Sequence, residues 1–137
     1  MIRLICGPKG TGKTKIILEE IARSVDVAKG DIVFITDKKK DYTRGISFNV
    51  RVLYTDDFGV DCPIAFGGFV KGLMAGNSDI EYLYVDGLTK IIGDDCSAIA
   101  DFLKTIVALE KEYNLNAVIT VSKLKEELPE EYRAFTE

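Results

Sequence analysis

One glycine-rich segment, Gly7–Thr14, constrains the fold of this chain more than any other and reads GPKGTGKT. The residues before it, Ile2–Cys6, form a short, mostly apolar run that favours β-structure, which predicts a buried strand that stops at Gly7. The residues after it have apolar side chains at helical spacing: Ile16, Ile17, Ile21, Ala22 and Val25. A strand, a glycine-rich turn and a helix therefore open the fold.

The segment matches G-x-x-x-x-G-K-[ST] at every fixed position, and such loops cradle phosphate groups. Gly7 and Gly12 let the backbone turn tightly and approach phosphate oxygens. Lys13 would place a positive charge near the β- and γ-phosphates, and the Thr14 hydroxyl would ligate Mg²⁺. An ordinary glycine-rich turn is the alternative interpretation. The predicted nucleotide-binding residues of the loop are Gly7, Pro8, Lys9, Gly10, Thr11, Gly12, Lys13 and Thr14.

Strands and helices alternate along the rest of the chain. The further predicted strands are Asp31–Thr36, Val50–Tyr54, Tyr82–Val85 and Ala117–Val121. Helices are predicted from Pro63 to about Ala75 and from about Ser97 to Tyr113, with a short one starting at Pro129. The polar stretch Asp37–Asn49 is predicted to be an exposed loop. Since several strands are apolar throughout, we expect a single α/β domain over residues 1–137, a three-layer sandwich whose mostly parallel sheet has about five strands.

The composition and charge of the chain exclude some classes of function. The 137 residues have a net charge of −4 and no histidine, so we expect neither a histidine-based catalytic triad nor a surface that binds nucleic acid through its overall charge. Cys6, Cys62 and Cys96 are widely spaced and are predicted to be small buried residues rather than zinc ligands. No apolar run approaches the ~20 residues of a membrane span, and no leader pattern is present. We therefore expect a cytoplasmic protein without membrane contact.

A single acidic residue, Asp86, follows the apolar run Tyr82–Val85. A carboxylate at the carboxyl end of a strand can hold a Mg²⁺-bound water opposite Thr14. The alternative is a carboxylate that merely starts a turn. Because Asp86 lies downstream of the glycine-rich segment, we predict that it has the metal-binding role.

The stretch from Tyr84 to Ile92, YVDGLTKII, resembles the second nucleotide motif of RecA and of DnaB-type replicative helicases. The similarity continues through Phe102–Lys104 and Leu115–Ser122. With the loop, it covers about half of the chain. The sequence thus resembles P-loop NTPases of the RecA-like class, and also short stand-alone bacterial P-loop ATPase-like proteins. We expect no counterpart here to the extra strands and DNA-binding loops of recombinases and helicases.

The resemblance implies roles for individual residues. Lys13 and Thr14 would bind phosphate and Mg²⁺, and Asp86 would support the metal. Ser122 would contact the γ-phosphate, although a strand-end cap is an equal alternative. Many P-loop ATPases place a catalytic glutamate directly after the strand aspartate, whereas this chain has Gly87 there. RecA-like enzymes take that carboxylate from the neighbouring strand, which points to Asp37 as the catalytic residue together with Lys13.

Two basic features remain open. Lys38, Lys39, Lys40 and Arg44 form a cluster that is either a solvated loop or a contact for the triphosphate or a polyanion. Arg133 is a candidate arginine finger for a neighbouring subunit.

The sequence therefore predicts a Mg²⁺-dependent, ATP-binding protein, a slow ATPase that acts as a conformational switch with a protein partner or as a homo-oligomer. ATP is favoured over GTP because no N-K-x-D-like segment appears. A small-molecule kinase and a non-catalytic ATP-binding regulatory module are the alternatives.

Overall fold

Five strands form one sheet in which every neighbouring pair is parallel, in the order β1-β5-β4-β2-β3. The computed structural model describes residues 1–136. Its strands are β1 (Ile2–Cys6), β2 (Asp31–Thr36), β3 (Val50–Tyr54), β4 (Ile80–Val85) and β5 (Asn116–Val121). The α/β prediction with a parallel sheet of about five strands is confirmed.

Four α-helices and several 3₁₀ turns connect the strands. The helices are α1 (Lys13–Val27), α2 (Pro63–Gly76), α3 (Leu88–Ile92) and α4 (Cys96–Tyr113). The 3₁₀ turns are Asp41–Gly45, Thr55–Phe58, Lys125–Glu127 and Glu130–Phe135. None of the helices within residues 1–136 combines the length and apolar character needed to cross a bilayer.

Helices cover both faces of the sheet, because alternate strand residues point to opposite sides. On one face, strand side chains pack against α2, α3 and α4 in the larger core, where the rings of Phe66 and Phe102 stack with centroids 4.4 Å apart. On the other face lies the smaller core, which α1 covers. Its buried residues are Ile5, Ile17, Ile21, Ile32, Phe34, Val50, Tyr84 and Val118.

Parallel pairing brings the carboxyl ends of all five strands to one edge of the sheet. The loop Gly7–Thr14 leaves this edge from β1, Asp37 follows β2, Asp86 follows β4 and Ser122 follows β5. Ligands of open α/β sheets bind in the crevice outside this edge. The fold therefore brings the polar residues predicted from the sequence to the edge of the sheet where ligands of open α/β sheets bind.

The prediction that Asp37–Asn49 is an exposed loop is wrong in part. Asp41–Gly45 forms a 3₁₀ turn, Thr43 is buried, and Tyr42 and Ile46 pack against the smaller core. Few apolar residues mark this segment, so its sequence resembles that of a solvated loop. The short helix α3 was not predicted either.

The cysteine prediction also needs correction. Cys62 and Cys96 are exposed and Cys6 is half-buried, all three with free thiols. Cys62 is the N-cap of α2 and Cys96 the first residue of α4, and helix ends lie at the surface here. Among the aromatic residues of this part of the chain, Phe66 and Tyr84 are buried, whereas Phe69 and Tyr82 are half-buried.

We expect Gly30→Ala to lower the free energy of unfolding by about 1–3 kcal/mol, because overpacking forces the backbone to shift. A Cβ at Gly30 would overlap the carbonyl oxygen of Asp79 and stand 3.0 Å from Cβ of Glu81. Gly68→Ala is the matched control: Gly68 lies within α2 with no atom near its Cβ position, so alanine should stabilise by about 0.5–1 kcal/mol. Urea unfolding measures the free energy of unfolding of both variants. Equal unfolding midpoints for the two variants would contradict the prediction.

Candidate functional site

The glycine-rich loop joins β1 to α1 in a conformation that needs its glycines. Gly12, the residue before α1, has φ 84° in the left-handed region, which an L side chain rarely adopts. At Gly7 the constraint is space, since a Cβ would stand 2.9 Å from Oγ1 of Thr11. That hydroxyl donates a hydrogen bond to the carbonyl oxygen of Pro8 at 2.7 Å. The loop is therefore closely coiled ahead of the helix.

The Lys13 side chain lies inside this coil and is 9% exposed. Its Nζ donates hydrogen bonds to the carbonyl oxygens of Gly7, at 2.9 Å, and Pro8, at 2.7 Å. An ammonium group has three N–H donors, so one remains for a ligand. Burial lowers the pKa of Lys13, and the charge of Lys90 adds to this, whereas Asp86 and Cys6 oppose it. Burial likewise raises the pKa of the Cys6 thiol to about 11, against the effect of Lys13.

Asp86 is 5% exposed, and its carboxylate accepts three hydrogen bonds from three parts of the chain. Thr14 Oγ1 and Tyr42 Oη each donate to Oδ2 at 3.0 Å. Thr120 Oγ1 lies 2.7 Å from Oδ1. Thr36 Oγ1 donates to the backbone carbonyl of the same aspartate at 3.2 Å. The predicted pair of Thr14 and Asp86 is thus brought together, within a hydroxyl network.

A cavity of about 290 Å³ opens beside this network. It is lined by Lys9, Gly10, Gly12, Lys13, Thr14, Asp86, Gly87, Lys90, Thr120 and Ser122. Most of the predicted loop residues and Ser122 are therefore in one place. Ser122 is held next to the loop because the N–H of Gly7 donates to the carbonyl oxygen of Lys123 at 2.8 Å.

Sequence reasoning missed Tyr42, Lys90 and Thr120. Lys90 stands one helical turn after Gly87 and Thr120 two residues before Ser122, so proximity to predicted site residues was a usable signal for both. Tyr42 precedes Asp86 by 44 residues. No local pattern connects these two, and only the folded chain brings them together.

Asp37 lies at the same edge of the sheet but is not among the residues that line the cavity. Its Oδ1 accepts a hydrogen bond from Lys40 Nζ at 2.6 Å and one from Thr36 Oγ1 at 3.3 Å. Burial raises the pKa of Asp37, but the hydrogen bond and charge of Lys40 outweigh it, so that the pKa lies below its usual value. The predicted catalytic carboxylate is ionised and paired with a lysine of its own loop.

The other basic residues occupy different environments. Lys38, Lys39 and Arg44 are exposed, as expected of a solvated segment. Arg133 donates from Nε to the carbonyl oxygen of Leu128 at 3.1 Å and from Nη2 to that of Glu126 at 2.8 Å. Its guanidinium group therefore binds carbonyls of its own C-terminal segment, which offers no support for a role in a neighbouring subunit.

The oxygen atoms that this site offers would fit Mg²⁺ only if phosphate oxygens completed the coordination of the ion. Within residues 1–136 no three His, Cys, Asp or Glu side chains come together as a metal cage. Thr14 Oγ1 and Asp86 Oδ2 are hard oxygen donors 3.0 Å apart. That distance matches the spacing of neighbouring ligands around Mg²⁺, whose bonds are about 2.1 Å long. Magnesium usually takes one or two protein oxygens besides phosphate and water.

No protein-family model matches this chain, and no curated protein matches it significantly.

We expect Tyr42→Phe to speed amide hydrogen exchange at Thr43 and Ile46 about tenfold, because a hydrogen bond to a charged group contributes about 1.5–3 kcal/mol. Both amides close the 3₁₀ turn that carries Tyr42, and the hydroxyl ties this turn to Asp86. Tyr113→Phe on α4 is the control and should leave these rates unchanged. Equal rates in wild type and Tyr42→Phe would mean that the contact with Asp86 does not hold the turn.

Proposed function

We propose that this protein binds a nucleoside triphosphate, ATP, together with Mg²⁺, in the cavity between the glycine-rich loop and Asp86, and hydrolyses it slowly. One observation carries the proposal: Lys13 and Thr14, at the start of α1, and Asp86, which follows β4, line one polar cavity at the carboxyl edge of a parallel sheet. Few other functions require a lysine inside a coiled glycine loop and a hydroxyl–carboxylate pair beside it.

The binding chemistry follows from these groups. Backbone N–H groups at the start of α1 have no side-chain cap and face the loop, where the helix dipole favours an anion. Lys13 contributes a charge with a free N–H donor, and its depressed pKa reflects a buried cation that an anionic ligand would stabilise. Thr14 and Asp86 would hold Mg²⁺, which neutralises charge on the bridging phosphate oxygens.

Slow turnover is expected because the carboxylates are poorly arranged for activating water. Asp86 is the only Asp or Glu among the residues lining the cavity, and its oxygens are occupied by hydroxyl groups. Asp37 would have to leave Lys40 before it could orient a water molecule. This pairing also favours the alternative of a non-catalytic ATP-binding module.

The segment from residue 37 to residue 49 is the natural candidate for a part that responds to the ligand. Tyr42 shares the Asp86 oxygen with Thr14, so Mg²⁺ binding at this oxygen would compete with the tyrosine. ATP would then alter the position of a surface segment that includes Lys38, Lys39 and Arg44. A protein partner or a second copy of the chain could recognise that change.

Lys13→Ala should weaken Mg·ATP binding about a hundredfold and remove any phosphate release, because the charge and the remaining N–H donor of Lys13 no longer contact phosphate. Lys15→Ala is the matched control, since Lys15 is an exposed lysine of the same helix. A fluorescent ATP analogue measures binding, and coupled phosphate detection measures turnover. Equal ATP affinity in the wild type and Lys13→Ala would reject the proposed site.

Asp37→Asn should abolish turnover and leave the affinity for ATP near that of the wild type, if Asp37 orients the attacking water. Asp41→Asn, an exposed aspartate in the same segment, is the control and should retain turnover. Phosphate release that persists in Asp37→Asn would remove Asp37 from the reaction. If the wild type turned over ATP no faster than Lys13→Ala, the protein would be the alternative, a non-catalytic ATP-binding module.

A further inference from the structure

The residue after Asp86 is a glycine whose place is covered by a lysine side chain. Gly87 has φ 84° and is the N-cap of α3. The N–H of Lys90 donates to the Gly87 carbonyl oxygen at 2.9 Å, which closes the first turn of that helix. A Cβ at Gly87 would stand 3.4 Å from Cδ of Lys90 and 3.7 Å from its Cβ. The aliphatic stem of Lys90 therefore lies beside Gly87, while the residue as a whole is exposed.

This arrangement places Lys90 between two cavities. Lys90 lines the 290 Å³ cavity of the glycine-rich loop and also a neighbouring cavity of about 430 Å³. Lys9 and Ser122 line both as well. The three side chains come from different elements, the loop, α3 and the end of β5, and they stand where the two cavities meet.

The two lysines at this junction have no bonded partner in the protein. Within residues 1–136, the ammonium groups of Lys9 and Lys90 make no hydrogen bond or ion pair, although Asp94 lines the neighbouring cavity. Three lysines and one carboxylate line the loop cavity, which leaves two positive charges in excess. Mutually repelling cations are stabilised when an anion binds between them.

We propose that Lys90, together with Lys9 and Ser122, binds the third phosphate group of the nucleoside triphosphate, so that the site selects triphosphates over diphosphates. The inference rests on the function proposed above and specifies its ligand. The loop and Thr14 hold the phosphates that both ligands share, and Lys13 reaches the second and third phosphates. The third phosphate alone reaches the junction. A hydrogen-bonded charge at this point adds affinity to the triphosphate only.

The same geometry accounts for the glycine after Asp86. A Cβ at residue 87 would touch the Lys90 stem at ordinary van der Waals distance, but it would strain a left-handed backbone. This chain therefore places a cation, and not a water-activating carboxylate, beside the terminal phosphate. Lys90 recognises the terminal phosphate and stabilises its negative charge.

The test compares ligands that differ by one phosphate. Isothermal titration calorimetry with Mg²⁺ measures the full chain against ATP, ADP, inorganic tripolyphosphate and pyrophosphate. The wild type should prefer ATP to ADP and tripolyphosphate to pyrophosphate. Lys90→Ala should lower the affinity for ATP about tenfold and that for ADP less than twofold, so that the preference collapses. Lys90→Arg should retain part of it.

Lys111→Ala is the control, because Lys111 is an exposed lysine on α4 away from both cavities. It should leave every affinity unchanged. Thermal unfolding of each variant checks that the fold is retained, which we expect because the Lys90 side chain is exposed.

Each contrary outcome has a distinct meaning. Equal losses of ATP and ADP affinity in Lys90→Ala would overturn the inference in favour of a general electrostatic effect, with the proposed nucleotide site intact. Unchanged ATP affinity would show that Lys90 does not contact the terminal phosphate. A wild type that binds none of the four ligands would reject the proposed function itself, and this inference with it.

Discussion

The buried carboxylate of Asp86 is the group on which the arrangement of the site depends. A charge removed from water is costly unless hydrogen bonds compensate it. Hydroxyl groups of Thr14, Tyr42 and Thr120 supply that compensation. They belong to the start of α1, the connection between β2 and β3, and strand β5. Moving any one of these parts would leave the carboxylate with fewer donors, so one carboxylate adds a shared contact among three segments of the chain.

Sheet order decides which of those donors can reach Asp86. Strand β5 lies between β1 and β4, which places Thr120 beside the aspartate and Ser122 next to the loop that leaves β1. The same order separates the loop from Asp86 by the width of one strand. This separation gives a cavity of about 290 Å³ and keeps Lys13 and Asp86 from closing on each other. Parallel pairing alone would not produce this spacing.

The parts of the site that the sequence predicts are those encoded by local pattern. Gly12, Lys13 and Thr14 belong to a contiguous motif, and Asp86 ends an apolar strand, so both could be located without the fold. The contact of Tyr42 depends on a 3₁₀ turn in a polar segment and on a partner 44 residues away, which no periodicity reveals. Lys90 could be assigned to the site only once a five-residue helix was known to follow Gly87. The strands were predicted well because burial on both faces makes them apolar throughout.

The two cores differ greatly in size, with 26 buried residues in the larger and eight in the smaller among residues 1–136. Both Lys13 and Thr14 belong to α1, which packs on the smaller core. Separating α1 from the sheet exposes less apolar surface than separating α2 and α4 would, and therefore costs less free energy. Of the two layers, the one that anchors the glycine loop is therefore expected to separate from the sheet at the lower cost in free energy. Opening of the folded state would then begin on the side that faces the proposed phosphate site, while the larger layer keeps the sheet in place.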